Sequence, residues 1–147
     1  MDSLWGRIES HIERVPFSGC WIWNACLRQG YGRTITGSRS DGSRRLASVH
    51  RLLYEKKHGP IEAGMEIDHL CRVRCCVNPE HLESVTPKVN RLRGVGFYAQ
   101  NARKTHCAKG HPYDEENTIV KNNGHRLCYA CRKQNWLNAY QRKMGRL

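Results

Sequence analysis

A chain of 147 residues, 39% of them hydrophobic and with a mean hydropathy of -0.72, has room for one domain and a small appendage around a modest core. A net charge of +12 and a pI near 9.7 point to a polyanion partner. No stretch is long and apolar enough to cross a membrane, and the first nine residues lack the apolar run of a secretory signal, so a cytoplasmic chain with reduced thiols is expected.

Taken in chain order, residues 3–14 predict a short amphipathic helix. Ser3 caps it, Leu4, Ile8 and Ile12 recur every four positions, and Pro16 follows its end. Residues 20–24 alternate like a strand. Residues 31–36 and 44–49 predict a hairpin around Ser40, Asp41, Gly42 and Ser43, where Asp-Gly is a turn signal. Residues 50–58 read as a helix stopped by Gly59-Pro60, with His50 in a mainly structural role. Strands over 65–69 and 82–85 enclose an aperiodic loop containing Pro and paired Cys. Thr86 then caps a helix that opens on Pro87 and runs to about Arg93, ended by Gly94 and Gly96. Residues 97–106 predict a linker, 107–131 a compact knuckle and 132–146 a basic terminal helix. On that helix Trp136, Leu137, Tyr140 and Met144 form a stripe that docks on the knuckle.

Charge is distributed unevenly. Residues 1–85 carry 12 Lys/Arg against 10 Asp/Glu, whereas residues 86–147 carry 13 against 3, so the basic arm is the second part of the chain. Eight Cys in a reducing compartment, four of them interleaved with His at ligand spacing, favour zinc over disulfides. Cys107-x3-His111-x16-Cys128-x2-Cys131 is one complete set, with His106 and His125 as surface residues. Cys71, Cys76 and His81 supply three ligands of another, in which Cys75 could exchange with Cys76, and the fourth is Cys20 or Cys26. Full sets of four leave no open position, so both zincs read as structural; reduced core thiols without metal are the plain alternative.

The segment that carries these residues starts Asp68-His69-x-Cys71 and continues with four residues to Cys76, four to His81 and eight to Asn90. That order resembles the HNH, ββα-metal or His-Me finger, endonucleases, and most closely their His-Cys box homing branch. The resemblance implies an α+β fold. Its parts are a ββα-metal nuclease core over residues 1–96, with the motif at 65–94 and an N-terminal antiparallel hairpin, and a zinc knuckle and basic helix over 97–147 packed on the same domain. It implies Cys20 as the fourth ligand, because in that branch an upstream strand provides it, and it prefers Cys76 to Cys75. The alignment puts His81 at the middle position of HNH and leaves Asn78 as a turn residue. The second zinc of the branch has a different ligand order, which leaves the local fold of residues 105–132 open.

The same resemblance implies a catalytic set. His69 would be the general base, its other ring nitrogen bonded to a carbonyl of the zinc loop, and Asn90 with Asp68 would hold one Mg²⁺, for which Mn²⁺ can substitute. The His-Cys box branch uses the Asn without an acidic partner, whereas Asp-His together is the broader HNH pattern. Double-stranded DNA would be the substrate, leaving 5′-phosphate and 3′-hydroxyl ends. Arg33, Thr34, Thr36 and Arg39 are candidate readers on the hairpin, and Arg39, Arg44 and Arg45 candidates for the scissile phosphate. Arg91 and Arg93 follow Asn90, and Arg132, Lys133, Arg142, Lys143 and Arg146 line the last helix. Cutting both strands with one site per chain would favour a homodimer, and kinship with homing enzymes suggests a phage or mobile gene acting inside the host cell. A non-catalytic zinc-stabilised DNA-binding regulator is the alternative, against which the intact Asp68, His69 and Asn90 argue. A zinc-stabilised protein-interaction module fits the basic arm poorly.

Overall fold

The computed structural model describes residues 3–145, so Arg146 lies outside the described residues. The chain divides between Arg93 and Gly94 into two compact units.

The first unit begins with α1 (Leu4–Glu9), whose Ser3 side chain accepts a bond from the Gly6 amide at 3.1 Å. The helix is half the length its periodicity predicts. Ile12 leaves it for β1 (Ile12–Arg14), which pairs antiparallel with β2 (Trp21–Trp23) in the register Ile12↔Trp23. Cross-strand contact with a buried Trp outweighs one further helical turn. A two-residue strand that the sequence did not announce, β3 (Leu27–Arg28), pairs with β4 (Tyr31–Thr36), and β4 pairs with β5 (Arg45–Ser48) in the expected hairpin. Gly32 of β4 lies so close to Trp23 that a Cβ there would meet the indole ring at 2.9 Å, which is why the smallest residue stands at that position.

Next come α2 (Val49–His58) and its stop at Gly59, whose φ of 89° suits glycine. Strands β6 (Glu66–His69) and β7 (Leu82–Val85) pair antiparallel, Asp68 opposite Glu83 and His69 opposite Leu82. A 3-10 turn, Pro79–His81, closes the intervening loop, and Asn78 caps it by accepting from the Glu80 amide at 3.0 Å. Helix α3 (Pro87–Arg93) follows, with the Val89 amide donating to the Thr86 hydroxyl at 3.3 Å. The core is small: Ile8, Trp23, Val49, Leu53 and Val77, flanked by Leu4, Ile12, Trp21 and Leu52.

In the second unit the stretch expected to be a linker contains a helix, α4 (Phe97–Arg103), anchored by buried Ala99. The hairpin β8 (Thr118–Val120) and β9 (Arg126–Cys128) leads straight into α5 (Tyr129–Lys143). The expected packing stripe of α5 does not form. Trp136, Tyr140 and Met144 are 63%, 49% and 53% exposed, and no described residue of the helix is buried. Among the described residues no helix is long and apolar enough to cross a membrane.

Candidate metal and catalytic centres

Strand β2 lies against the loop between β6 and β7. The Trp23 amide donates to the Cys75 carbonyl at 3.0 Å, the Val77 amide to the Trp21 carbonyl at 2.8 Å, and Ile22 bridges Cys76. That pairing carries Cys20, one residue before β2, to Cys71, Cys76 and His81. The ligand atoms of these four lie within 4.8 Å of one another. Bonds of about 2.3 Å to sulfur and 2.0–2.1 Å to nitrogen imply tetrahedral edges of about 3.6 Å for S···N and about 3.8 Å for S···S. His81 Nδ1 stands 3.5 Å from Cys20 Sγ and 3.7 Å from Cys76 Sγ. Gly19, at φ 65°, lets the imidazole in, since a Cβ would meet its Nε2 at 3.3 Å. Cys26 is exposed and, like Cys75, stands outside the cluster.

Cys107, His111, Cys128 and Cys131 form the second cluster within the same limit. His111 Nδ1 is 3.5, 3.6 and 3.3 Å from the sulfurs of Cys107, Cys128 and Cys131, and the sulfurs of Cys107 and Cys131 are 3.7 Å apart. The Lys109 and Cys131 amides each donate to a sulfur of the cluster at 3.4 Å, contacts that would stabilise a thiolate. In donor type and spacing both sets fit a tetrahedral zinc with no position left for water. His106 and His125 stand outside the cluster.

Successive side chains of a strand leave it on opposite faces, and the end of β6 shows this directly. The His69 ring turns toward Tyr31 and His50, with centroids 5.7 and 5.0 Å away, while Asp68 turns toward arginines. His69 is buried, and its Nε2 lies 3.0 Å from the Cys76 carbonyl oxygen. A carbonyl can only accept, so Nε2 carries the proton and Nδ1 of the neutral ring is the free base. Burial lowers the His69 pKa from its ordinary value, opposed by the Cys76 carbonyl and Asp68. His50, buried and with Nδ1 unpaired, is lowered to about 3, by burial first and then by His69, Arg51 and Arg33.

On the other face, the Asn90 Nδ2 donates to Glu66 Oε2 at 2.7 Å, which leaves the Asn90 carbonyl oxygen as a donor atom for a cation. One helical turn on, Arg93 meets Glu83 and reaches Asp68 Oδ2 at 3.6 Å, and Arg72 meets Asp68 Oδ1 at 2.8 Å. Asp68 Oδ2 is buried without a hydrogen bond. A buried carboxylate oxygen with no bond, together with amide and carboxylate oxygens from Asn90 and Glu66, is the donor set a hard divalent ion prefers. The two guanidinium groups on Asp68 would have to give way for it to take part.

Arg33 is half-buried near His50, its guanidinium bonded to Ser48 Oγ at 2.8 Å and its Nε buried without a partner. Arg39, Arg44 and Arg45 are exposed on the β4–β5 hairpin. Thr36, expected among the readers, is buried with its hydroxyl on the Arg45 carbonyl at 3.4 Å, so it faces inward. Arg93 is held by carboxylates, and the Arg91 Nε bonds the Pro87 carbonyl at 3.0 Å. Arg132 and Lys133 are exposed on α5. Sequence reasoning missed Glu66 and Tyr31. Glu66 could have been found, because it lies two residues before Asp68 and shares its strand face.

The family profile described as HNH endonuclease matches residues 47–92. Over 83 residues the chain is 41% identical to the uncharacterized gene 5.3 protein of Enterobacteria phage T3, covering 55% of this chain and 80% of that one. It is 36% identical over 72 residues to protein 7.7 of Escherichia phage T7, covering 48% and 51%, and 30% identical over 115 residues to protein 2.8 of the same phage, covering 76% and 71%. No solved structure matches the chain.

Proposed function

Because the chain belongs to the HNH endonuclease superfamily, we propose that it is a Mg²⁺-dependent DNA endonuclease of the ββα-metal type in which His69 is the general base. The observation that carries this reading is the bond from His69 Nε2 to the Cys76 carbonyl. It fixes the tautomer, and it ties the base to a loop that the first ligand cluster closes, an arrangement also implied by the His-Cys box resemblance.

In this reading Nδ1 of His69 takes a proton from the water that attacks phosphorus. Tyr31 and His50 hold the ring plane and keep bulk water from its back. Arg39, Arg44 and Arg45, exposed on the β4–β5 hairpin, are the candidates to meet a non-bridging phosphate oxygen. Asn90, oriented by Glu66, would hold the divalent ion, and Asp68 would join it once Arg72 and Arg93 release the carboxylate. A bound Mg²⁺ supplies positive charge for the phosphate and the leaving 3′ oxygen. Two zincs, on Cys20, Cys71, Cys76 and His81 and on Cys107, His111, Cys128 and Cys131, are structural. The family match supports action on DNA, and the phage relatives support action within an infected cell.

Supercoiled plasmid and genomic DNA of the source, incubated with zinc-loaded protein and Mg²⁺, test this. Wild type should nick or cut, and His69→Ala should not. Retention of DNA by both proteins with cleavage by neither would instead favour a DNA-binding regulator on the same fold.

A further inference from the structure

Along one face of α5 stand Tyr129, Lys133, Trp136, Tyr140 and Lys143, at spacings of four, three, four and three residues. At 100° per residue all five fall within about 40° of one line. All are exposed, Tyr129, Trp136 and Tyr140 at 50%, 63% and 49%. Trp136 and Tyr140 stack on each other, ring centroids 5.7 Å apart and planes 18° from parallel. The helix carries Arg132, Lys133, Arg142 and Lys143 and no acid. Clefts of about 400 and 370 Å³ flank its first half, one holding Lys121 and Arg132, the other Lys109 and Lys133, and neither is lined by a carboxylate.

We propose that this face binds an unpaired polynucleotide strand, its rings stacking on bases and its cations meeting the phosphates between them. Three rings and two ammonium groups share a single line, in the order ring, cation, ring, ring, cation, so the bases of a strand and the phosphates between them would both find partners along it. A duplex offers phosphates but hides the faces of its bases, so the Trp136–Tyr140 pair would gain little from it. A lipid surface selects helices with cations segregated from apolar side chains, and here they are interleaved. A second copy of α5 would set lysine against lysine. The inference deepens the nuclease reading, since a strand freed by nicking or unwinding would be retained, and it rests on that reading only for its biological sense.

The test is fluorescence anisotropy of a labelled oligothymidine and of a duplex of equal length, with full-length zinc-loaded protein in Mg²⁺-free buffer, so that binding is read without cleavage. Trp136→Ala should weaken strand binding roughly five- to 150-fold and leave duplex binding within about twofold. Trp136→Phe should restore most of the loss, and Lys133→Gln should reduce the salt dependence of strand binding. Strand binding unchanged in both Trp136→Ala and Tyr140→Ala would overturn the proposal. So would an equal loss on duplex, a dimer that Trp136→Ala dissociates in light scattering, or a Trp136-dependent association with phosphatidylserine vesicles in place of the oligonucleotide. Should the wild type bind strands yet cut nothing, the nuclease reading fails while this one stands. Cleavage alongside unchanged binding by the variants defeats this one alone.

Discussion

Replacing His50 by Phe should make the first unit resist acid. The His50 imidazole is buried between Tyr31 and His69, with a pKa of about 3 against 6.5 for an ordinary His. A depressed folded pKa means that the unfolded chain binds the proton first. The contribution to stability is therefore complete above pH 6.5 and is lost as pH falls from 6.5 toward 3. Each unit costs about 1.4 kcal/mol, so at pH 5 the wild type gives up about 2 kcal/mol through this residue alone. Phe keeps a ring in the site and takes up no proton. Zinc-ligand protonation also weakens the fold in acid, but it affects both proteins alike and cancels in their difference. Urea unfolding of zinc-loaded wild type and His50→Phe at pH 7 and pH 5 should show the gap moving by about 2 kcal/mol in favour of the variant. A gap that stays constant within about 0.5 kcal/mol would refute the claim that His50 is held neutral by burial.

Two further outcomes follow from the same geometry. Mass spectrometry should find two zinc ions per chain in the wild type and in Cys26→Ser and Cys75→Ser, but one in Cys20→Ser, since Cys20 stands in a cluster and the other two do not. The cleavage rate should fall to half only below pH 6.5, because burial lowers the pKa of His69 from its ordinary 6.5 and it loses its free Nδ1 only on protonation. A half-rate point above pH 7 would count against His69 as the base.

Much of the first unit was legible because its signals are local. Thr86-Pro87 announces α3, Gly59-Pro60 ends α2, and the strand expected over 82–85 is β7 with its observed bounds. The candidate ligand sets were readable as spacings. Choosing Cys20 over Cys26 took a resemblance, and its physical basis is the pairing of β2 with residues 75–77, a long-range contact that no local pattern encodes. Helix α1 was overextended because Ile12 fits both a helical face and a strand, and its partner Trp23 decides the matter. Helix α4 was missed for want of a capping side chain, its N-cap being Gly96. On α5 the periodicity of Trp136 and Tyr140 was read correctly and its meaning was not: a stripe at helical spacing shows that residues share a face, not that the face is covered.

Cys76 links the first candidate metal cluster to the proposed base, and so gives a reason for the two to adjoin in so small a protein. Its sulfur belongs to the first cluster, its carbonyl accepts from His69, its amide donates to the Val73 carbonyl, and its backbone bridges Ile22 of β2. It is fully buried, and burial pushes its thiol up to about 12, so without a metal the sulfur would remain protonated at neutral pH and hold nothing. A small core around Ile8, Trp23, Val49, Leu53 and Val77 cannot by itself fix a loop running from residue 70 to 81 that contains little regular structure. An ion held by Cys20, Cys71, Cys76 and His81 would do so, leaving the Cys76 carbonyl little freedom. Through it the tautomer and plane of His69 are determined as well. On the proposed reading, a metal that completes the fold would thereby also aim the base, which would make His69 orientation a consequence of folding rather than a separate requirement.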